Sequence, residues 1–185
     1  MSRLHRITAP GHAAPGVGFE QPFEMLTACH ERVARTLALL GRLLAHWHQN
    51  GADEASRSAA ADVWRYFEIA APQHHLDEER HLVPRLQASA DPALQAAAAR
   101  LLADHALFRD LWSRLGPALQ ALRDGAEPAP GWVDDARAFI DRHQGPDGHL
   151  ALEDGLVFPA ARQAMPEADW PAMGAEMAAR RRPPG

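Results

Sequence analysis

The sequence predicts an all-α fold: an antiparallel up-down-up-down four-helix bundle with an additional short C-terminal helix. Three observations predict it. Apolar residues recur at alternating steps of three and four through most of the 185 residues, Gly- and Pro-rich punctuation divides them into four long segments, and no run alternates in the manner of a half-buried strand. Four long helices with short connections bury their apolar stripes against one another as a bundle.

Residues 1–18, with Pro10, Gly11, Pro15 and Gly16, read as an irregular lead-in, and residues 19–165 as the bundle. The first helix is expected from Pro22, a residue suited to an initial turn, to the stop at Asn50-Gly51. Its seam is Phe23, Leu26, His30, Val33, Leu37, Leu40, Leu44 and Trp47. The second helix is expected from the cap Asp53 to about Ala88, with Trp64, Phe67, Ala71, His75, Glu79, Leu82 and Leu86 on one stripe. Proline removes an amide donor and crowds the preceding turn, so a kink or bulge is expected near Pro72 that changes the helical phase beyond it. Asp91 and Pro92 open the third helix, whose seam contains Leu94, Ala98, Leu101, His105, Phe108, Trp112, Leu115, Leu119 and Leu122. The fourth runs from about Trp132 to Ala164 and is interrupted at Gln144-Gly145-Pro146-Asp147-Gly148. A break there is required if His149 is to face inward, because the phase set by Val133, Ala136 and Ile140 does not carry it there. Pro171, after Trp170, opens a short helix within the segment 166–185.

A net charge of −5 and a pI near 6.1 exclude the basic face that nucleic-acid binding requires. The Arg run at 180–182 reads as a solvated tail. No apolar stretch has the length of a membrane span, and the Pro- and Gly-rich N-terminal region is unlike a secretory signal. The single Cys29 suits a reducing compartment, so a cytoplasmic location is expected; nothing in the pattern marks an oligomeric state. Histidine is the unusual component. The chain has eleven His, while its nineteen Lys and Arg residues are all Arg.

His75-Leu-Asp-Glu-Glu79 and His149-Leu-Ala-Leu-Glu153 each place an imidazole and a carboxylate four residues apart, on one helical face. His30 and His105 interrupt apolar seams on the other two helices. Carboxylates at a bundle centre cost several kcal/mol each unless a cation compensates them, so the pattern points to bound metal. Imidazole with carboxylate suits iron, and also zinc or manganese, and the lack of thiolates argues against structural zinc or an iron–sulfur cluster. Two rival pairs stay open. His74 and Glu78 repeat the spacing one residue earlier, with Leu82 and Leu86 favouring His75 and Glu79, while the unused pair is placed to orient a ligand. His143 with Asp147 rivals His149 with Glu153, the latter favoured by the following Leu156-Val157-Phe158-Pro159.

These residues resemble the hemerythrin-like (HHE) family. Leu26 to Val33 and Leu102 to Phe108 are similar to its two single-His helices, and His75 to Pro84 and His149 to Pro159 to its paired His-x-x-x-Glu segments, over roughly residues 20–164. The resemblance implies two non-haem iron ions joined by an oxo or hydroxo bridge. It also implies that His30 and His75 ligate one ion, His105 and His149 the other, and that Glu79 and Glu153 bridge them. The family's reversible oxygen carriers have a further His where this chain has Arg109, and a guanidinium has no lone pair to donate. Arg109 can instead pair with a Glu or hold an anion.

The function so implied is that of a di-iron protein that binds or senses dioxygen or iron. The alternative is a di-iron enzyme acting on nitric oxide or peroxide, or donating iron for iron–sulfur cluster repair. A ferritin-like oxidase and a zinc protease are disfavoured, since paired Glu-x-x-His elements and His-Glu-x-x-His are missing.

Overall fold

The computed structural model describes residues 17–182, so most of the lead-in expected over 1–18 lies outside it. Helix α1, Pro22–Asn50, starts with its proline in the first turn and closes at Gly51, whose positive φ of 68° favours glycine and whose N–H donates to the Trp47 carbonyl. Asp53 accepts from the Ser56 amide and caps α2, Glu54–Arg65. A π-helical turn, Tyr66–Ala70, leads into α3, Ala71–His81, and then α4, Val83–Gln87. Asp91 caps α5, Pro92–Arg123, by accepting from the Ala93 amide. The fourth corner comprises α6 (Trp132–Gln144), α7 (His149–Leu152), a π turn (Glu153–Val157) and α8 (Phe158–Ala164). A 3-10 turn, Glu167–Asp169, precedes α9, Trp170–Arg180. Helix α1 packs on α2 and α6, and α5 packs on the same two, closing a four-cornered bundle. No strand is present among the described residues.

The expected second helix is divided, and proline explains how. Pro72 has no N–H, and its ring would crowd the carbonyl four residues back. The chain widens by one residue just before it, with the Ala71 N–H donating to the Tyr66 carbonyl five residues earlier. The same device recurs before Pro159, where the Phe158 N–H reaches the Glu153 carbonyl. The break expected at 144–148 is present: α6 ends at Gln144 and a new helix begins at His149.

Two apolar clusters fill the bundle. One contains Val33, Leu37, Val63, Phe67, Phe108 and Leu115; the other contains Leu26, Leu82, Leu101, Val157, Met173 and Met177. Along α1, His30 lies between Leu26 of one cluster and Val33 of the other, and along α5, His105 lies between Leu101 and Phe108. A polar layer is therefore held between two dry ones.

Helix α9 covers the second cluster. Its Trp170 packs edge-on to Phe23, with ring centroids 5.4 Å apart, and a Cβ on Gly174 would overlap the Phe19 carbonyl oxygen, so the approach requires glycine. The Arg run expected to be a solvated tail is docked instead: buried Asp77 on α3 pairs with Arg180 and Arg181, and Glu176 accepts from Arg180, His81 and Arg80 at 2.6–2.8 Å. Partial burial pushes the Glu176 carboxyl upward, but the hydrogen bonds from Arg180, His81 and Arg80 outweigh it and pull the group down to about 2. Its pKa is depressed on folding, so the stability it contributes is complete above the ordinary value of 4.5 and is lost as pH falls toward 2. Glu176→Gln is expected to cost about 1 kcal/mol at pH 7, allowing for solvent screening of a part-exposed group. Urea unfolding should show that gap closing between pH 4.5 and pH 2.5, and a gap that does not change with pH would contradict the assignment.

Candidate metal centre

Helices α1, α3, α5 and α7 each bring histidine to the polar layer. His30, His74, Glu78 and Glu153 place one ligand atom each within 4.8 Å of one another, and so do Glu78, His105, His149 and Glu153. The two groups share both carboxylates. A third group, His75, His105 and His149, meets the same criterion and overlaps the second. Glu78, His105 and Glu153 are wholly buried, and His30, His74 and His149 nearly so.

Of the six residues expected from the sequence, the structure brings His30, His75, His105, His149 and Glu153 into these groups. Glu79 lies outside all three. Its carboxylate is 28% exposed and accepts from His105 Nδ1 at 2.8 Å, with Arg109 Nη1 at 3.4 Å. The adjacent Glu78 and His74 face the axis instead. His143 also stays outside, its Nδ1–H donating to the Phe139 carbonyl at 2.8 Å.

Outer carboxylates fix two of the imidazoles. His30 Nδ1 is hydrogen-bonded to Asp154 at 2.8 Å and His105 Nδ1 to Glu79 at 2.8 Å, while His149 Nδ1 lies 3.5 Å from Asp104 without hydrogen-bond geometry. An Nδ1 proton given to a carboxylate leaves Nε2 of a neutral ring with a lone pair. Those Nε2 atoms lie against the inner carboxylates: His30 to Glu153 at 3.0 Å, His149 to Glu153 at 2.9 Å and His105 to Glu78 at 3.3 Å. His74 Nε2 is 3.2 Å from Glu78. None of these four contacts has hydrogen-bond geometry; the four Nε2 atoms and all four inner carboxylate oxygens are buried without a hydrogen-bond partner. Lone pairs facing lone pairs at 3 Å repel, so the layer calls for positive charge at its centre.

The titration behaviour of the bare side chains expresses the same demand. Burial, then the charge of Glu153, drives Glu78 well above the usual carboxylate range. Burial also opposes ionisation of Glu153, but His149 and His30 hold it well below that range. Against its own desolvation, His149 is raised to about 9 by Glu153 and Asp104. His74 is lowered to about 3 by burial and then by His30. Without a metal, protons must supply the compensating charge. The residues thus fit a cation: imidazole and carboxylate donors, oriented from behind, converge in a dry layer.

No sequence spacing marks Asp104 or Asp154, since each reaches a histidine on another helix. Glu78 did have a signal. Glu153 precedes Pro159 by six residues, and the glutamate six before Pro84 is Glu78.

Comparison with known proteins agrees with this chemistry. The chain matches the hemerythrin HHE cation binding domain over residues 21–161. It is also 32% identical over 169 residues to an uncharacterized protein of Haemophilus influenzae, covering 88% of this chain and 91% of that one.

A cation that binds only the folded chain stabilises it by mass action, by about 4 kcal/mol at a free concentration a thousand times its Kd. For a chain of this size that corresponds to a rise of roughly 8–16 °C in Tm. Chelation of the metal-loaded protein should lower Tm by that order in thermal scans, and an unchanged Tm would contradict a metal bound in this layer.

Proposed function

The chain belongs to the hemerythrin family with the HHE cation-binding domain, and we propose that it is a non-haem di-iron protein that binds or senses a small ligand, dioxygen or iron itself. The observation that carries the proposal is the pair of four-residue groups sharing Glu78 and Glu153. His30 and His74 would hold one ion, His105 and His149 the other, with the two glutamates shared between them. His75, within reach of His105 and His149, would add a third imidazole to the second ion. Iron suits this mixed donor set better than it suits magnesium or calcium, which prefer oxygen, or a structural zinc site with thiolates.

Two octahedral ions offer about twelve positions, of which five imidazoles and two shared carboxylates fill about nine. A solvent-derived bridge would take two more and leave about one for an external ligand. When bound, a pair of ferrous ions supplies two electrons and a Lewis-acidic position. The chain's own part is orientation and exclusion of water: Asp154 and Glu79 aim two of the imidazoles by hydrogen bonds, Asp104 lies beside a third, and the two apolar clusters keep the layer dry.

Turnover of nitric oxide or peroxide, or release of iron for cluster repair, is the second reading. It is favoured by a cavity of about 230 Å³ beside His75, larger than a diatomic ligand needs. Arg109, at the position where the oxygen carriers have a further histidine, lies on its wall.

The protein reconstituted under anaerobic conditions should hold about two irons per chain and gain near-ultraviolet charge-transfer absorption in air. Glu78→Gln should lower the iron content to one or fewer, whereas Glu79→Gln should keep the stoichiometry and weaken affinity about 10- to 100-fold, as loss of an orienting carboxylate does. Equal iron loss in both variants, or wild-type protein holding no more than one ion, would overturn the assignment. Rapid mixing of the reduced protein with dioxygen, peroxide or nitric oxide separates the two readings, a stable reversible adduct favouring binding and turnover favouring the enzyme.

A further inference from the structure

The 230 Å³ cavity lies between the metal layer and the surface, with His75, Phe67, Phe108, Trp112, Phe139 and His143 on its walls. Its shape follows from the backbone. The π turn Tyr66–Ala70 and Pro72 set the phase of this stretch, and Phe67 and Pro72 both contribute to the lining. The Trp112 ring is held by its Nε1–H, which donates to Glu68 at 2.8 Å. Glu79 and Arg109, which lie 3.4 Å apart, supply the charged part of the lining and roughly cancel in charge.

His143 is the exception in an aromatic wall. It is only 2% exposed and stacks on Phe108 with ring centroids 3.7 Å apart. Its Nδ1–H donates to the Phe139 carbonyl, which can only accept, so the neutral ring carries its lone pair on Nε2. That atom has no hydrogen bond among the described residues. The ring lines the cavity, and a donor held there can reach this free acceptor.

We propose that this cavity binds a small neutral molecule with an aromatic or branched apolar body and one O–H or N–H group, which donates to His143 Nε2. The volume is more than a diatomic needs, because an apolar cavity of about 150 Å³ already takes benzene. Water there is held weakly and can be displaced: an ordered water needs two to four polar partners, and away from His75 and the charged pair the wall offers one acceptor. An anion would meet the Glu79 carboxylate beside Arg109. The site stands on the cavity and His143 alone. Its role as the substrate site of the metal centre, reached through His75, rests on the di-iron reading.

Phenol, toluene and benzoate are suitable probes, titrated into the protein as purified and followed by ligand-observed NMR, with iron content measured on the same samples. Phenol should bind saturably and roughly fivefold more tightly than toluene, the difference expected from one neutral hydrogen bond. His143→Phe should remove that preference and leave iron content unchanged. Leu76→Trp, which fills the cavity from a half-buried wall position, should weaken both phenol and toluene and guards against misfolding of the first variant. Absence of saturable binding, equal affinity for phenol and toluene, or tighter binding of benzoate would overturn the proposal. Protein that lacks iron yet binds phenol in this pattern would refute the di-iron reading and leave the cavity site standing.

Discussion

Everything in this bundle is arranged around two carboxylates that water does not reach. Glu78 and Glu153 are both wholly buried, and the four imidazoles around them point Nε2 inward. Two such anions in a low-dielectric layer are tolerated only with compensating charge. The apolar clusters on either side turn that demand into selectivity for a bound cation, because they deny the carboxylates the alternative of hydration. Replacing the layer with leucines would ease packing and remove the reason for the fold's other features: outer carboxylates hydrogen-bonded to two of the four histidines and local widening of two helices.

The widened turns deserve their place in the sequence because each comes immediately before a proline. An uninterrupted helix repeats every 3.6 residues, and one π turn adds a residue without a break. Before Pro72 the insertion rotates everything downstream, so that Ala71, His74 and Glu78 face the axis while His75 and Glu79 move toward the cavity and rim. Glu153 is itself the first residue of the second π turn, and its backbone carbonyl accepts the Phe158 amide. Proline therefore contributes through the amide it lacks.

Much of this was legible in the sequence. The lone His30 and His105 in apolar seams, the caps Asp53 and Asp91, the stop at Gly51 and the interruption at 144–148 are all local signals, and local signals survive into the structure. The bulge near Pro72 was legible as well, but the phase after it was not. Leu82 is four residues from Glu78 and three from Glu79, so it continues a helical stripe from either; only the shared spacing of Glu78 to Pro84 and Glu153 to Pro159 favours Glu78, and burial separates the two: Glu78 is sealed, Glu79 is 28% exposed. The outer partners Asp104 and Asp154 were illegible for a different reason. Each acts across the bundle on a neighbouring helix, and pairing between helices leaves no periodic trace in one sequence.

The break at Gly145–Gly148 divides the work of the fourth corner between two histidines. A continuous helix would rotate His149 by about 600° from His143, two-thirds of a turn beyond a full one, and the two rings would face apart. The break lets α7 restart with its own phase, so that the ring centroids of His143 and His149 lie 6.1 Å apart on opposite sides of one aromatic wall. His149 faces the carboxylates with its Nδ1 beside Asp104; His143 gives its proton to the Phe139 carbonyl one turn back on its own helix. The difference in partner decides the difference in role. A ring in the field of a carboxylate is a stronger donor toward a cation, whereas a ring hydrogen-bonded to a neutral carbonyl in an aromatic wall keeps a weaker lone pair suited to accepting a hydrogen bond. Six residues and one glycine-rich interruption thus give one segment two kinds of imidazole, one facing the metal layer and one facing the cavity beside it.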